Sequence, residues 1–119
     1  MEDFQDFLTY KVAHVTIGEF QLGKFDQARK LYQEAVSTYG QGFRGAYLLQ
    51  EKGTERGIAV TLWDSEESMN TNESRDAHRA VLRKMMPLFA DTPKTTYYEV
   101  VTEIEPVEKG ESESEEMKR

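Results

Sequence analysis

The sequence predicts an α+β sandwich with the ferredoxin-like element order β-α-β-β-α-β, in which both helices cover one face of an antiparallel four-stranded sheet. Three observations predict this fold: a helical apolar stripe over residues 24–39, two strands joined by a short polar turn, and a β-branched, aromatic run towards each end. A length of 119 residues fits one domain. We assign residues 10–104 to that domain, residues 1–9 to an N-terminal extension and residues 105–119 to a disordered acidic tail.

The first half of the chain contains a strand, a helix and a second strand. Residues 10–17 are β-branched and aromatic with near alternation, which predicts a strand. Over residues 24–39 the apolar side chains recur at helical spacing, which predicts an amphipathic helix that Gly40 and Gly42 end. Residues 43–50 predict the second strand.

The middle of the chain predicts a hairpin that runs into a helix. The polar, glycine-bearing turn of residues 52–57 joins the second strand to a third that ends at Trp63, so the two should pair antiparallel. Asp64, followed by Glu67, resembles a capping box and predicts a helix start directly after the strand.

The last part of the domain predicts a helix and a strand. Residues 70–74 are rich in capping residues and predict a break, after which a longer helix covers residues 75–86 and ends near Pro87. We expect one face of that helix to carry the apolar residues Ala77, Val81, Met85 and Leu88. Residues 95–102 predict the fourth strand.

Two strands carry apolar residues at successive positions, in Tyr47-Leu48-Leu49 and Ile58-Ala59-Val60. A sheet covered on one face only should alternate apolar and polar residues instead. Because the chain offers no further helix for the second face, we predict a homodimer that packs sheet against sheet.

Charge and composition narrow the classes of function. The net charge is −7 without a clustered basic face, which disfavours binding to nucleic acid or to an anionic membrane surface. No apolar run approaches the roughly 18 residues of a membrane span, and the N-terminus is acidic where a secretory signal is basic. Cysteine is absent, which removes thiol chemistry. We expect a cytoplasmic protein that binds a small molecule.

Three short motifs carry a resemblance to a known family. They are Gly42-Phe43-Arg44-Gly45 entering the second strand, Leu62-Trp63-Asp64-Ser65-Glu66-Glu67 leaving the third, and Ala77-His78 in the last helix. Together they resemble the antibiotic biosynthesis monooxygenase (ABM) domain family of dimeric α+β barrels. The resemblance covers residues 10–102 and implies a homodimer with a pocket in each subunit, between the sheet and the helices. Members include cofactor-free monooxygenases of polycyclic aromatic substrates, haem-degrading monooxygenases and proteins with no assigned activity.

The resemblance to the cofactor-free members implies a partial catalytic set. Trp63 and Arg83 match the strand-end Trp and the helix Arg of those members, whereas Met69 and Ala59 stand where those members have a Tyr and an Asn. Trp63 and Arg83 would then stabilise developing negative charge on the substrate, and His78 or a substrate group would handle the proton.

The resemblance to the haem-degrading members is also partial. His78 matches their iron-ligating His, but the helix Trp has no counterpart, and the first strand offers His14 or Thr16 in place of an Asn. The resemblance therefore leaves haem binding through His78 as an alternative.

We predict an ABM-type monooxygenase that acts, without a cofactor, on an aromatic or conjugated small molecule. The catalytic candidates are Trp63, His78 and Arg83, and the candidates for the substrate pocket are His14, Tyr32, Tyr47 and Met69. Each has a packing interpretation as well, because buried aromatic and helix residues often serve the core. No metal site is expected, since two histidines lack matched carboxylate spacing. Two different functions stay open beside the oxygenase: a haem-binding or haem-degrading protein, and a non-catalytic dimeric module that binds a ligand.

Overall fold

The computed structural model describes residues 11–104 and 106. Within them the chain forms β1 (Val12–Glu19), α1 (Phe25–Val36), β2 (Phe43–Gln50), β3 (Arg56–Trp63), α2 (Glu66–Glu73), α3 (Asp76–Met85), a single 3₁₀ turn (Met86–Leu88) and β4 (Lys94–Glu99). The predicted N-terminal extension lies outside the described residues, and so does the predicted tail apart from residue 106.

The four strands form one sheet in the order β2-β3-β1-β4, and every neighbouring pair is antiparallel. This order and the position of the helices in the chain confirm the predicted ferredoxin-like α+β fold. One row of the sheet shows the register: Thr16 lies opposite Ala59 on one side and Thr95 on the other, and Leu48 lies beyond Ala59.

Several element ends differ from the prediction because pairing partners set them. β1 continues to Glu19, since Glu19 pairs with the first residue of β3, Arg56. β4 ends at Glu99, which lies opposite Val12, the first residue of β1. α1 ends at Val36, three residues earlier than its apolar stripe predicts, and a turn follows it.

Helix α2 differs from the prediction at both ends. Its N-cap is Ser65, whose hydroxyl accepts a hydrogen bond from the Ser68 N–H at 3.1 Å, whereas the Asp64 carboxylate pairs with Arg44 at 3.2 Å. The helix also continues through the predicted break as far as Glu73. The capping-type side chain of Asn72 does not end the helix: it is buried and bonds to Ser68 one turn earlier and to Gly40 and Gln41 of the preceding loop.

The core lies between the helices and one face of the sheet. Its buried residues are Phe20, Phe25, Ala28, Met85 and Leu88. In α3 the buried side chains are His78, Val81 and Met85, while Ala77 is exposed, so the prediction that Ala77 faces the core is wrong. Because His78 takes the place predicted for Ala77, the helix brings a polar ring to the core side.

No helix within residues 11–104 and 106 is long and apolar enough to cross a membrane.

Candidate functional site

A cavity of about 360 Å³ lies between the sheet and the helices. Pockets for small molecules begin at about 300 Å³, so this one has the size of a small ligand site. Its floor is the row of Leu48, Ala59, Thr16 and Thr95, which the sheet register aligns on one face.

The walls of the cavity come mainly from the two longer helices. Ala28, Tyr32 and Ala35 of α1 line one side, and Met85 of α3 lines the other. The lining residues that are exposed, including Leu82 of α3, mark the opening to solvent.

His14 and Glu73 form the most polar contact in the cavity. His14 projects from β1, and its Nδ1 contacts a carboxylate oxygen of Glu73, the last residue of α2. The carboxylate can only accept, so the neutral ring carries its proton on Nδ1 and its lone pair on Nε2. Nε2 is buried and has no hydrogen-bond partner among the residues that the structure describes. The ring lies 4.7 Å from that of Tyr97, measured between centroids.

His78 lines the same cavity from α3 and is only 4% exposed. Burial lowers the pKa of His78, although the Glu73 carboxylate and a hydrogen bond to the Ala35 backbone act in the opposite direction. The ring is therefore neutral at pH 7. Its Nδ1 is buried without a partner in the described part of the chain, and the ring packs 5.0 Å from that of Tyr39.

Trp63 lies behind the cavity wall and does not line it. The side chain is fully buried, at 0% exposure, and packs edge-on against Tyr39 at a centroid distance of 4.6 Å. Its indole N–H donates to the Thr61 hydroxyl at 2.8 Å. Thr61 does line the cavity, so Trp63 reaches the site through this hydrogen bond.

Three other candidates from the sequence are not among the lining residues. Met69 is buried in α2, and Arg83 is exposed on α3, more than a turn beyond His78. Tyr47 is 61% exposed, and its neighbour Leu48 faces the cavity, so Tyr47 lies on the opposite face of the sheet. The structure therefore places Tyr47 outside the lining of this cavity, because β2 alternates its side chains across the sheet.

Tyr32, a sequence candidate for the substrate pocket, lines the cavity. Its hydroxyl lies 3.0 Å from the carbonyl oxygen of Tyr47 and 3.1 Å from that of Val60, to which it donates. Burial raises the pKa of Tyr32 to about 12, so the phenol stays protonated. The hydroxyl fixes α1 to the sheet and leaves the ring as part of the wall.

The sequence pattern does not reveal three polar lining residues: Glu73, Thr61 and Arg79. Glu73 falls in the segment whose capping residues predict a helix break, which hides its place on a continuous helix. Arg79 follows His78 directly and is the arginine of α3 that lines the cavity. The polar position of Thr61 inside an apolar strand is the one available signal for that residue.

The site does not suit haem binding through His78. An iron ligand must present a ring nitrogen to an open space wide enough for a planar macrocycle. The His78 ring instead lines a cavity of only about 360 Å³, with Tyr39 packed beside it and the backbone of Ala35 as a hydrogen-bond partner. Among residues 11–104 and 106, no group of three or more acidic or histidine side chains is arranged to hold a metal ion.

Comparison with known proteins rests on structure, since no family model and no curated protein matches the sequence. A Caulobacter crescentus protein assigned as an antibiotic biosynthesis monooxygenase is 17% identical, with a TM-score of 0.71 over 84% of this chain and 99% of that chain. One with the same assignment from Chloroflexus aurantiacus is 18% identical, with a TM-score of 0.70 over 80% and 97%. SnoaB, a cofactor-independent oxygenase from Streptomyces nogalater, is 12% identical, with a TM-score of 0.68 over 84% and 99%.

These identities are low, so the likeness concerns the fold and does not by itself assign an activity. The matches cover nearly the whole length of the solved chains. The chain has the fold of the antibiotic biosynthesis monooxygenases, as its three short motifs predict.

Proposed function

We propose that this protein is a cofactor-independent oxygenase that inserts oxygen into an aromatic or otherwise conjugated small molecule bound in the cavity. One observation carries the proposal: two histidines, His14 and His78, line a largely apolar cavity and each keeps a buried ring nitrogen without a partner in the described part of the chain. Buried polar atoms in native proteins are nearly always paired, so an unpaired one at a cavity suggests a ligand group. The fold shared with SnoaB supports the same chemical class.

The reaction needs a proton acceptor and a substrate that can itself reduce oxygen. An imidazole removes a proton from an activated CH₂ or its enol, which leaves a delocalised anion. The anion donates an electron to O₂, and the resulting substrate radical and superoxide combine to form a peroxide anion. This peroxide anion takes the proton back from the imidazolium. Loss of water then leaves a carbonyl, so that CH₂ and O₂ give C=O and H₂O. The substrate supplies all the electrons.

Thr61 is placed to stabilise the anion. Its hydroxyl oxygen already accepts the Trp63 N–H, so its own hydrogen is available to donate to a substrate oxygen. In this arrangement Trp63 acts by orienting Thr61. Arg83 has no part in the proposal, because the arginine that lines the cavity is Arg79.

The test uses anthrone, whose CH₂ is flanked by two aromatic rings, in chelator-treated buffer under ¹⁸O₂. We expect oxygen uptake above the rate without protein, with one labelled atom in the quinone product. Ala59→Leu fills the floor of the cavity and should reduce uptake at least about tenfold, as expected when a substrate is misplaced. The matched control Ala80→Leu changes an exposed position of α3 outside the lining and should retain the rate.

Three results would contradict the proposal. Equal uptake by the two leucine variants would show that the cavity is not the site. No uptake, together with a Soret change on adding haem that His78→Gln removes, would favour a haem-binding protein. Tight binding of anthrone without turnover would favour a non-catalytic module.

We also propose that the protein is a homodimer that packs sheet against sheet. The face of the sheet opposite the helices carries exposed apolar side chains, including Ile17, Leu49, Tyr47 and Tyr98. Contiguous exposed apolar patches mark interaction sites on soluble proteins. The same face of a second copy matches it in extent and chemistry, as a two-fold interface requires.

A further inference from the structure

Two histidines line the cavity, but only one of them has a carboxylate hydrogen-bonded to its ring. Glu73 contacts Nδ1 of His14, whereas the Nδ1 of His78 has no partner among the described residues. A carboxylate on one ring nitrogen fixes the tautomer, orients the ring and stabilises the imidazolium that forms when the other nitrogen takes a proton. Only the His14 ring therefore has a carboxylate that would stabilise its protonated form.

We propose that His14 is the general base of this site and that Glu73 is its positioning residue, while His78 remains a neutral hydrogen-bond acceptor. This proposal rests on the proposed function and assigns the proton transfer within it. In the step itself the O–H or C–H bond of the substrate breaks, Nε2 of His14 gains the proton, and the electron pair stays on the substrate as an anion. No electron leaves the substrate in this step.

The position of Glu73 supports a functional role over a structural one. Glu73 is the last residue of α2, where the negative end of the helix dipole disfavours a carboxylate. The side chain is also largely buried, at 16% exposure, so it meets His14 away from bulk solvent. A residue chosen for helix stability would be cationic here. The contact with His14 is what an acid at this place provides.

The surroundings of His78 suit an acceptor better than a base. A proton on its Nδ1 would create a buried imidazolium whose other nitrogen faces only the Ala35 backbone. Burial lowers its pKa, so it accepts a proton less readily than a solvated histidine. As a neutral ring it can still accept a hydrogen bond from a substrate hydroxyl.

Charged and titratable groups from several elements surround His14, and the test must allow for each of them. Glu73 comes from α2, His78 and Arg79 from α3, and Tyr97 from the neighbouring strand β4. Tyr39, which follows α1, contacts the ring of His78. Of these groups Glu73 is the one that bonds directly to the His14 ring.

The experiment separates proton transfer from oxygenation by excluding oxygen. A dihydroxyanthrone probe is bound to the protein anaerobically, and the absorption band of its anion is recorded between pH 5 and 9. We expect the wild-type protein to bind the probe as the anion. His14→Gln should remove the band while the probe still binds, and His78→Gln should keep it.

Glu73→Gln tests the positioning role, because glutamine can still accept from Nδ1 but carries no charge. The imidazolium that forms on His14 then lacks the carboxylate that stabilises it, which shifts the proton-transfer equilibrium against the anion by about tenfold. We expect the ratio of bound anion to bound neutral probe to fall about tenfold at each pH, and aerobic turnover to fall with it. Glu67→Gln, an exposed position in the first turn of the same helix, is the matched control and should match wild type. Circular dichroism confirms that each variant is folded.

The outcomes separate this inference from the proposed function. An anion band that depends on His14 and Glu73, without aerobic turnover, would support the base and refute the oxygenase. A wild-type complex without the band, a band that His78→Gln removes, or equal behaviour of the two glutamate-to-glutamine variants would overturn the assignment.

Discussion

Burial sets the charge state of the side chains around the cavity. It lowers the pKa of His78, raises the pKa of Tyr32 to about 12 and raises that of Tyr39 further. All three groups are therefore neutral at pH 7, and each keeps its ring within an apolar wall. The acidic and basic side chains of the described lining are Glu73, which contacts His14, and Arg79, which is exposed, so a substrate meets a weakly polar site.

The lowered pKa of His78 predicts a pH dependence of stability. The unfolded chain binds a proton at this residue near pH 6.5, whereas the folded protein binds it only at lower pH. The contribution of His78 to the free energy of unfolding is therefore complete above about pH 6.5. It is lost as the pH falls through the pKa of His78 in the folded protein. We expect the urea midpoint to fall more steeply from pH 7 to pH 5 in the wild-type protein than in His78→Gln.

The two proteins are compared by the slope of the urea midpoint against pH, because the substitution also changes the absolute stability. The other titratable side chains are present in both proteins, so the difference between the two slopes reports the loss of His78. Parallel curves for the two proteins would show that His78 is already accessible to protons in the folded state.

At the scale of elements, Asn72 fixes α2 against the loop that precedes β2. Its amide donates to the carbonyl oxygens of Ser68 at 2.8 Å and Gln41 at 3.0 Å, and its side-chain oxygen accepts the Gly40 N–H at 2.8 Å. A fully satisfied buried amide specifies one arrangement. It holds the helix whose last residue carries the Glu73 carboxylate, so this junction determines where the acid meets His14.

A substitution at Gly42 tests how tightly the loop before β2 packs against α2. It has a φ of +93°, and a Cβ added there would overlap the Ser68 side chain of α2. Gly53 has a similar φ of +77° but open space around it, which makes it a matched control. We expect Gly53→Ala to cost about 1–2 kcal/mol from backbone strain alone. Gly42→Ala should exceed it by about 1–3 kcal/mol because of the overlap.

Urea denaturation of both variants measures the difference in the free energy of unfolding. Equal losses would mean that α2 moves away from the loop without cost. In that case the position of Glu73 would not depend on this contact.

At the scale of the whole molecule, the sequence predicts the fold better than the site. Element type follows from local periodicity, so the apolar stripe of α1 and the hairpin of β2 and β3 are confirmed. The contact between His14 and Glu73 joins residues 59 positions apart and depends on where α2 ends over the sheet. Alternation alone also does not tell which face of a strand is turned towards the helices, so the sequence pattern could not predict that Leu48 lines the cavity and Tyr47 does not.

The two faces of the sheet divide the molecule between the cavity and the proposed dimer interface. His14, Thr16 and Ala59 face the cavity, and their neighbours along the strands face the other way. Dimerisation through the outer face therefore leaves the opening of the cavity free.

This division predicts that assembly and ligand binding can be separated by substitution. We expect the wild-type protein to have twice the chain mass of 13.8 kDa in solution. Leu49→Glu places a charge on the outer face and should give a folded monomer, since an unpaired charge in an apolar interface is costly. Leu22→Glu, at a position that is 89% exposed before α1, should stay dimeric. Light scattering after gel filtration measures both masses, and a monomeric wild type would refute the sheet-to-sheet dimer. The Leu49→Glu monomer should still bind the anthrone probe, because its cavity lies on the opposite face.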